Sequence, residues 1–305
     1  MDEHTYEFTA YARQAAHGVP LVVALKGFAD AGSVAELVIG NLLDNLDSEV
    51  VARFDNDLLL DYRSRRPAVM FDGDHVAAYE FPELALRELR DGTGQPFYLL
   101  SGYEPDFKWE WVLDDIMSLA EHFEISTVTW LNSVPTPVPH TRPIVSIVSG
   151  NVARDIDMFS VWKPKTTLPG SLVQVLEKQL VDAGYDVTGF VMLTPHYLAN
   201  SDYPPAAVAA IERITLSTGL VLPTDQLRDE GREYQEKIAE QLEANTELQN
   251  MVSNLEKRHD QHLRDLQEGN GTTDIDTQDP DGDELAAEFE SFLAHYRHGK
   301  PPAQG

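Results

Sequence analysis

A chain of 305 residues, 42% hydrophobic and without Cys, is long enough for one large folded domain or two modest ones and excludes disulfides and thiolate metal sites. Its net charge of −28 opposes phosphodiester backbones and anionic headgroups, and the small cluster Arg63, Arg65 and Arg66 is too slight to reverse that field. No apolar run approaches the ~20 residues of a membrane helix, and the acidic start Met1-Asp2-Glu3-His4 lacks the pattern of a secretory signal. The expectations are a cytoplasmic protein with no nucleic-acid partner and no membrane.

The first strong local signal is the apolar run Leu21 to Leu25, which ends in Lys26-Gly27-Phe28-Ala29-Asp30-Ala31-Gly32-Ser33 and opens into an amphipathic segment, Val34 to Leu46. This reads as a buried strand, a tight turn and a helix whose first amides face the strand's carboxyl end. Further strands are predicted over Val50 to Phe54, Val76 to Tyr79, Phe97 to Leu100, Ser126 to Leu131, Ile144 to Val148 and Val187 to Leu193. Helices are predicted over Glu83 to Arg90, Trp109 to Phe123, Ser171 to Ala183 and Pro205 to Ser217. Asp55 to Pro67 is ambiguous, with Leu58-Leu59-Leu60 fitting a short strand or a helical turn. Strands alternating with helices indicate a largely parallel sheet covered on both faces. Residues 1–223 form the predicted α/β core domain.

Beyond Pro223 the pattern becomes charged and helical. Leu227, Tyr234, Ile238 and Leu242 mark one apolar stripe, and Leu248, Val252, Leu255 and Leu266 mark another. Thr224 is placed to cap the first helix. Asn245-Thr246 reads as a break, since Thr246-Glu247-Leu248-Gln249 fits a capping box. A helical hairpin over 224–268 is therefore favoured over a single coiled-coil helix. Residues 269–283 have linker composition, acidic and rich in Gly and Thr. Over 284–298, Leu285, Phe289, Phe292, Leu293 and Tyr296 form the apolar stripe of a short helix suited to docking on a surface, its own domain's or a partner's.

Three motifs in order, Gly27-Phe28-Ala29-Asp30-Ala31-Gly32, Gly102-Tyr103-Glu104-Pro105-Asp106 with Trp109, and Val138-Pro139-His140-Thr141-Arg142-Pro143, resemble those of the proteasome assembly chaperone 2 family in its bacterial branch. The resemblance spans most of residues 15–265. It implies a phosphorylase/hydrolase-like three-layer α/β/α sandwich with a C-terminal helical hairpin, and self-association, a trimer being one arrangement. It also implies protein partners and a link to proteasome assembly or regulation. Members that engage a proteasome ring use a C-terminal hydrophobic-Tyr-any-residue tail. Here the sequence ends Pro301-Pro302-Ala303-Gln304-Gly305, and His295-Tyr296-Arg297 is internal, so gate opening is not expected.

The same motifs supply the candidate crevice: Lys26, Gly27, Asp30, Gly32, Ser33, Glu104, Asp106, His140 and Arg142. A helix start beside Lys26 suits a phosphate or carboxylate, and Arg142 beside His140 suits the same anions. The bland alternative is that Gly27 and Gly32 supply positive φ, that Asp30 or Ser33 caps its helix, and that Glu104 and Asp106 cap the helix starting near Phe107. Trp109 and Trp111 read as packing or subunit-contact residues. Thr166-Thr167-Leu168-Pro169-Gly170-Ser171, flanked by Lys163 and Lys165, is another helix start. No His-Glu-x-x-His, EF-hand, P-loop or Gly-x-Ser-x-Gly pattern occurs, so no metal and no cofactor are expected. Two classes of function remain: a non-catalytic assembly or adaptor protein, or a small-molecule hydrolase or phosphorylase-like enzyme with an anion-binding crevice at the strand ends. The first is favoured because no motif demands chemistry.

Overall fold

A computed structural model describes residues 4–27, 30–160 and 169–267. The expected linker 269–283, the expected helix 284–298 with its apolar stripe, Lys163, Lys165 and Leu266's side chain lie outside the described residues. In chain order the elements are β1 (Tyr6–Phe8), β2 (Leu21–Lys26), α1 (Val34–Asn45), β3 (Ser48–Phe54), α2 (Asn56–Leu59), β4 (Ala68–Asp72), β5 (His75–Glu80), β6 (Leu84–Arg90), β7 (Pro96–Tyr103), α3 (Trp109–His122), β8 (Val128–Thr136), β9 (Ser146–Gly150), α4 (Ala153–Phe159), α5 (Leu172–Asp182), β10 (Val187–Pro195), α6 (Pro204–Thr218), α7 (Asp225–Ala244) and α8 (Thr246–Gln267).

Eight strands form one sheet in the order β1-β3-β6-β7-β2-β8-β10-β9, and β4 with β5 forms a separate two-stranded ribbon. The centre, β7-β2-β8-β10, is parallel. The flanks pair antiparallel: β1 on β3, β3 on β6, β6 on β7, and β9 on β10. The sheet is therefore mixed rather than largely parallel. Helices cover both faces. One core layer packs Val34, Val38 and Leu42 of α1 with Ile211 and Ile214 of α6 and with the stripes of α7 and α8. The other packs Val112, Ile116 and Leu119 of α3 with Leu172, Leu176 and Leu180 of α5. The result is the three-layer α/β/α sandwich expected.

The mixed sheet follows largely from Glu83 to Arg90, a strand and not the expected helix. Leu, Ala, Arg and Glu favour helix locally. Yet the next five residues, Asp91 to Gln95, make a tight turn in which the Asp91 carboxylate accepts from the Thr93 and Gln95 N–H groups at 2.8 and 2.9 Å. That turn closes β6 onto β7 as a hairpin, and pairing with β3 on the other side buries Leu84, Leu86 and Leu89. Backbone pairing on two edges outweighs propensity. The ambiguous Leu58-Leu59-Leu60 contributes to a helical turn, α2, whose Asp55 side chain accepts from the Asp57 N–H. The strand expected from Ile144 begins at Ser146, and that expected to end at Leu131 runs on to Thr136. β1, β4 and α4 gave no recognised sequence signal; the first is three residues long, and the second is exposed throughout.

At Asn245 the backbone is extended (φ −132°, ψ 106°), separating α7 from α8. The cap is Asn245 itself and not Thr246: its side-chain oxygen accepts from the Glu247 and Leu248 N–H groups at 2.9 and 3.2 Å. Thr224 makes no side-chain cap bond to the start of α7; its hydroxyl accepts from Arg228 Nε instead.

Gly189 of β10 packs directly against the Trp130 ring of β8. Trp130 is 1% exposed, and a Cβ on Gly189 would stand 2.2 Å from its ring. The indole Nε1 donates to Glu177 of α5 at 2.7 Å, which stops the ring from turning aside. Gly189→Ala is expected to lower stability by about 1–3 kcal/mol through overpacking, read as a lower urea midpoint together with altered tryptophan fluorescence.

Candidate functional site

The carboxyl ends of β2, β7, β8 and β10 converge on the loops that carry the predicted residues. Beyond β2, Asp30 pairs as a parallel bridge with Ser133 of β8. The Asp30 carboxylate accepts from the Ala35 and Glu36 N–H groups in the first turn of α1, at 2.7 and 3.3 Å. These amides have no intrahelical acceptor, so the side chain satisfies them and sits at the positive end of the helix dipole. Burial nonetheless pushes the Asp30 carboxyl up to about 6, the two backbone hydrogen bonds opposing it only in part. Ser33 takes a left-handed backbone (φ 51°) and makes no side-chain cap bond.

Gly32 has φ +75°, and a Cβ there would meet Tyr203 Cβ at 2.9 Å and Thr194 Cγ2 at 3.1 Å. Its N–H donates to Ala199 O at 2.7 Å, and its carbonyl accepts from Tyr203 N–H at 2.8 Å. The loop after β2 is thus strapped to the segment after β10. Gly27 is needed for a different reason from the one expected: its φ is not positive, but a Cβ would lie 2.5 Å from Glu104 Oε2. Lys26 pairs with Glu36 at 3.3 Å, both side chains about half exposed.

Glu104 and Asp106 do not cap α3, contrary to expectation. Glu104 is buried, and its Oε1 accepts from the Leu172 N–H at the start of α5, at 2.7 Å. Asp106 accepts from the Asp61 N–H at 2.8 Å and pairs with Arg65 at 3.0 Å. Arg65 also donates to the Glu104 carbonyl. At α5 itself, Gln174 Oε1 accepts from the Ser171 N–H at 2.8 Å, completing the helix start.

His140 and Arg142 face another way. The Tyr197 hydroxyl accepts from the His140 backbone N–H at 2.9 Å and is hydrogen-bonded to His140 Nδ1 at 2.7 Å. Burial lowers the imidazole to about 4, so the ring is neutral at physiological pH. Arg142 donates bidentately to Asp260 of α8, at 2.8 Å twice, and to Glu256 at 3.1 Å. Arg142 holds the Asp260 carboxyl down at about 2. Thr141 donates to the same Glu256 at 2.5 Å. The proline-rich loop is therefore a clasp on α8.

Two groups emerge. Lys26, Gly27, Asp30, Gly32 and Ser33 gather with Glu104 and Asp106 around the end of β2; His140 and Arg142 lie along α8. The short turn His196–Leu198 and the residues after it touch both, through Tyr197 on one side and Ala199 on the other. Tyr197, Arg65, Glu256 and Asp260 complete these contacts and escaped the sequence reading, since each is distant in sequence from the group it serves. Trp109 donates to Pro105 O at 2.6 Å, a packing role, while Trp111 is exposed under the Lys108 ammonium. Among the described residues, no group of three or more His, Asp or Glu side chains is arranged to hold a metal, and no helix is long and apolar enough to cross a membrane.

The profile of the PAC2 family matches residues 24–242. Among solved structures, a protein of unknown function from Corynebacterium glutamicum is 36% identical with a TM-score of 0.82, covering 86% of this chain and 98% of its own. A Mycobacterium tuberculosis protein of unknown function is 40% identical with a TM-score of 0.81, covering 85% of this chain and 92% of its own. A proteasome-assembly chaperone homologue from Mycobacterium tuberculosis shares the fold at 21% identity and a TM-score of 0.69, covering 77% of this chain and 100% of its own. No curated protein matches.

Asp30 and His140 titrate in nearly the same window with opposite effect. A carboxyl raised from 3.8 to about 6 binds its proton more tightly in the folded state, so folding loses stability as pH rises through 4 to 6. An imidazole lowered from 6.5 to about 4 does the reverse, adding stability as pH rises through 4 to 6.5. Each effect is worth up to about 3 kcal/mol. Asp30→Asn is expected to leave stability rising with pH between 4 and 6.5, and His140→Gln to leave it falling; urea midpoints at both pH values check the signs, and parallel curves would contradict the assignment. Arg142→Ala is expected to release the clasp, speeding amide hydrogen exchange across 246–267 while leaving β2 and β8 protected.

Proposed function

This chain belongs to the PAC2 family, and from that premise we propose that it is a non-catalytic assembly or adaptor protein that acts through protein–protein contacts in the assembly or regulation of a proteasome. The family assignment and the shared fold with a proteasome-assembly chaperone homologue support this reading. The observation that carries it is the state of the strand-end crevice. The helix starts that suggested an anion site are occupied by the protein's own carboxylates, Asp30 on α1 and Glu104 on α5. Arg142, the cation suited to an anionic ligand, is engaged by Asp260 and Glu256. In this reading the crevice residues are a junction that holds the layers in register.

The working surfaces lie elsewhere. The protein is cytoplasmic and self-associates, a trimer being the arrangement we favour, without nucleic acid, membrane or cofactor. Residues 1–223 are the core domain, 224–268 a helical hairpin and 269–283 a linker. The segment 284–298, with its apolar residues Leu285, Phe289, Phe292, Leu293 and Tyr296, is the part we assign to partner binding.

The test is co-expression with the proteasome α and β subunits of the same organism, followed by native mass spectrometry. A complex is expected with wild type and with Asp30→Ala/His140→Ala, and loss of it on deleting residues 284–305. Loss with the double substitution and retention after the deletion would overturn the adaptor reading.

A further inference from the structure

The ribbon of β4 and β5 stands apart from the rest of the fold. Each strand pairs only with the other among the described residues, and every residue in both is exposed. Its composition does not suit that exposure. Val69 lies opposite Tyr79, and Phe71 lies opposite Val76, so these four share one face of the ribbon. Phe71 and Tyr79 are each 68% exposed. The stripe continues into Phe81, whose ring meets Tyr79 at 5.5 Å and Tyr62 at 5.7 Å.

At the ribbon's root a second exposed apolar surface begins. Asp106 and Phe107 donate their N–H groups to Leu59 O, and Arg65 ties Asp106 to the segment leading into β4. Phe107 and Trp111, at the start of α3, are about half exposed, with the Lys108 ammonium 3.8 Å from the Trp111 ring centroid. An arm and an apolar seat are thus carried on one chain.

We propose that the β4–β5 ribbon is an oligomerisation arm that lays its Val69, Phe71, Val76 and Tyr79 face over the Phe107 and Trp111 seat of a second copy of this chain. The inference rests on the self-association proposed above and assigns the surface that produces it. Two observations point to a second copy. First, a two-stranded ribbon with no further strand partner gains from a cover over its apolar face. A second copy supplies such a cover in equal amount from synthesis onward. Second, taking half of what a buried aromatic hides, arm and seat expose on the order of 600 Å² of apolar surface per copy. That approaches the ~800 Å² per side of a stable interface and lies at the upper end of what a monomer leaves bare. Apart from Lys108, whose ammonium lies over the Trp111 ring, the contact residues are uncharged, which lets two copies of charge −28 meet there.

Sedimentation velocity of the full chain tests this. Wild type is expected to sediment as more than one copy at micromolar concentration. Val69→Ser/Phe71→Ser/Tyr79→Ser is expected to sediment as one copy, with association weakened roughly tenfold or more and unchanged circular dichroism. A wild type that sediments as a single copy overturns both the self-association and the arm. A folded triple variant that associates like wild type overturns the arm alone. A second measurement is cross-linking: the natural chain lacks Cys, so differently tagged Phe71→Cys and Trp111→Cys chains can be mixed and oxidised. A disulfide between the two tags, absent when Val221→Cys replaces Trp111→Cys, is expected; an oligomer without that cross-link overturns the placement.

Discussion

The first N–H groups of a helix lack intrahelical acceptors, and at α1 and α5 of this protein side-chain carboxylates answer that need. Asp30 accepts from the first turn of α1, and Glu104, reaching across from the end of β7, accepts from Leu172 at the start of α5. Because Glu104 lies against Gly27, one contact fixes the end of β2, the end of β7 and the start of α5 together. Strapping of Gly32 to Ala199 and Tyr203 adds the segment after β10. These bonds act together with apolar packing to set the two helical layers over the parallel centre of the sheet.

The same device recurs and explains how so acidic a chain folds. Asp115, 5% exposed, accepts from the Thr5 N–H and hydroxyl and anchors the first strand. Glu88 accepts from the Ala16 N–H and the Tyr11 hydroxyl. Asp91 holds its own turn and reaches the Val221 N–H, and Asp155 accepts from Thr188 and Ser217. A carboxylate taken from water is costly unless hydrogen-bonded, and each of these meets at least two donors. They join segments far apart in sequence. At Asp30 burial outweighs the two backbone bonds and lifts its pKa.

These staples bear on function through what they occupy. Helix starts beside glycine-rich turns are apt anion sites, and fold alone does not decide whether they serve as such. Here protein carboxylates take those places, and Arg142 is turned to α8. Among the described residues, exposed apolar side chains gather on the β4–β5 ribbon and at the start of α3, away from the strand ends that the protein's own side chains close.

The strands and helices whose burial repeats regularly were legible in the sequence. β2, β7, β8 and β10 are continuous apolar runs, and α1, α3, α5 and α6 carry apolar residues at helical spacing, because a period of burial is written directly into residue order. The break at Asn245 was legible for the same local reason, although Asn245 and not Thr246 supplies the cap. Tertiary structure alone decided the rest. Leu84 to Arg90 became a strand because β3 and β7 offer it backbone partners on both edges. Glu104 capped α5 rather than α3 because the sheet order brings the end of β7 beside that helix. His140 met Tyr197, and Arg142 met α8, across separations of 57 and 118 residues. Hydrophobic period is a property of neighbours along the chain, whereas a carboxylate's choice of donor depends on which strand ends the fold sets side by side.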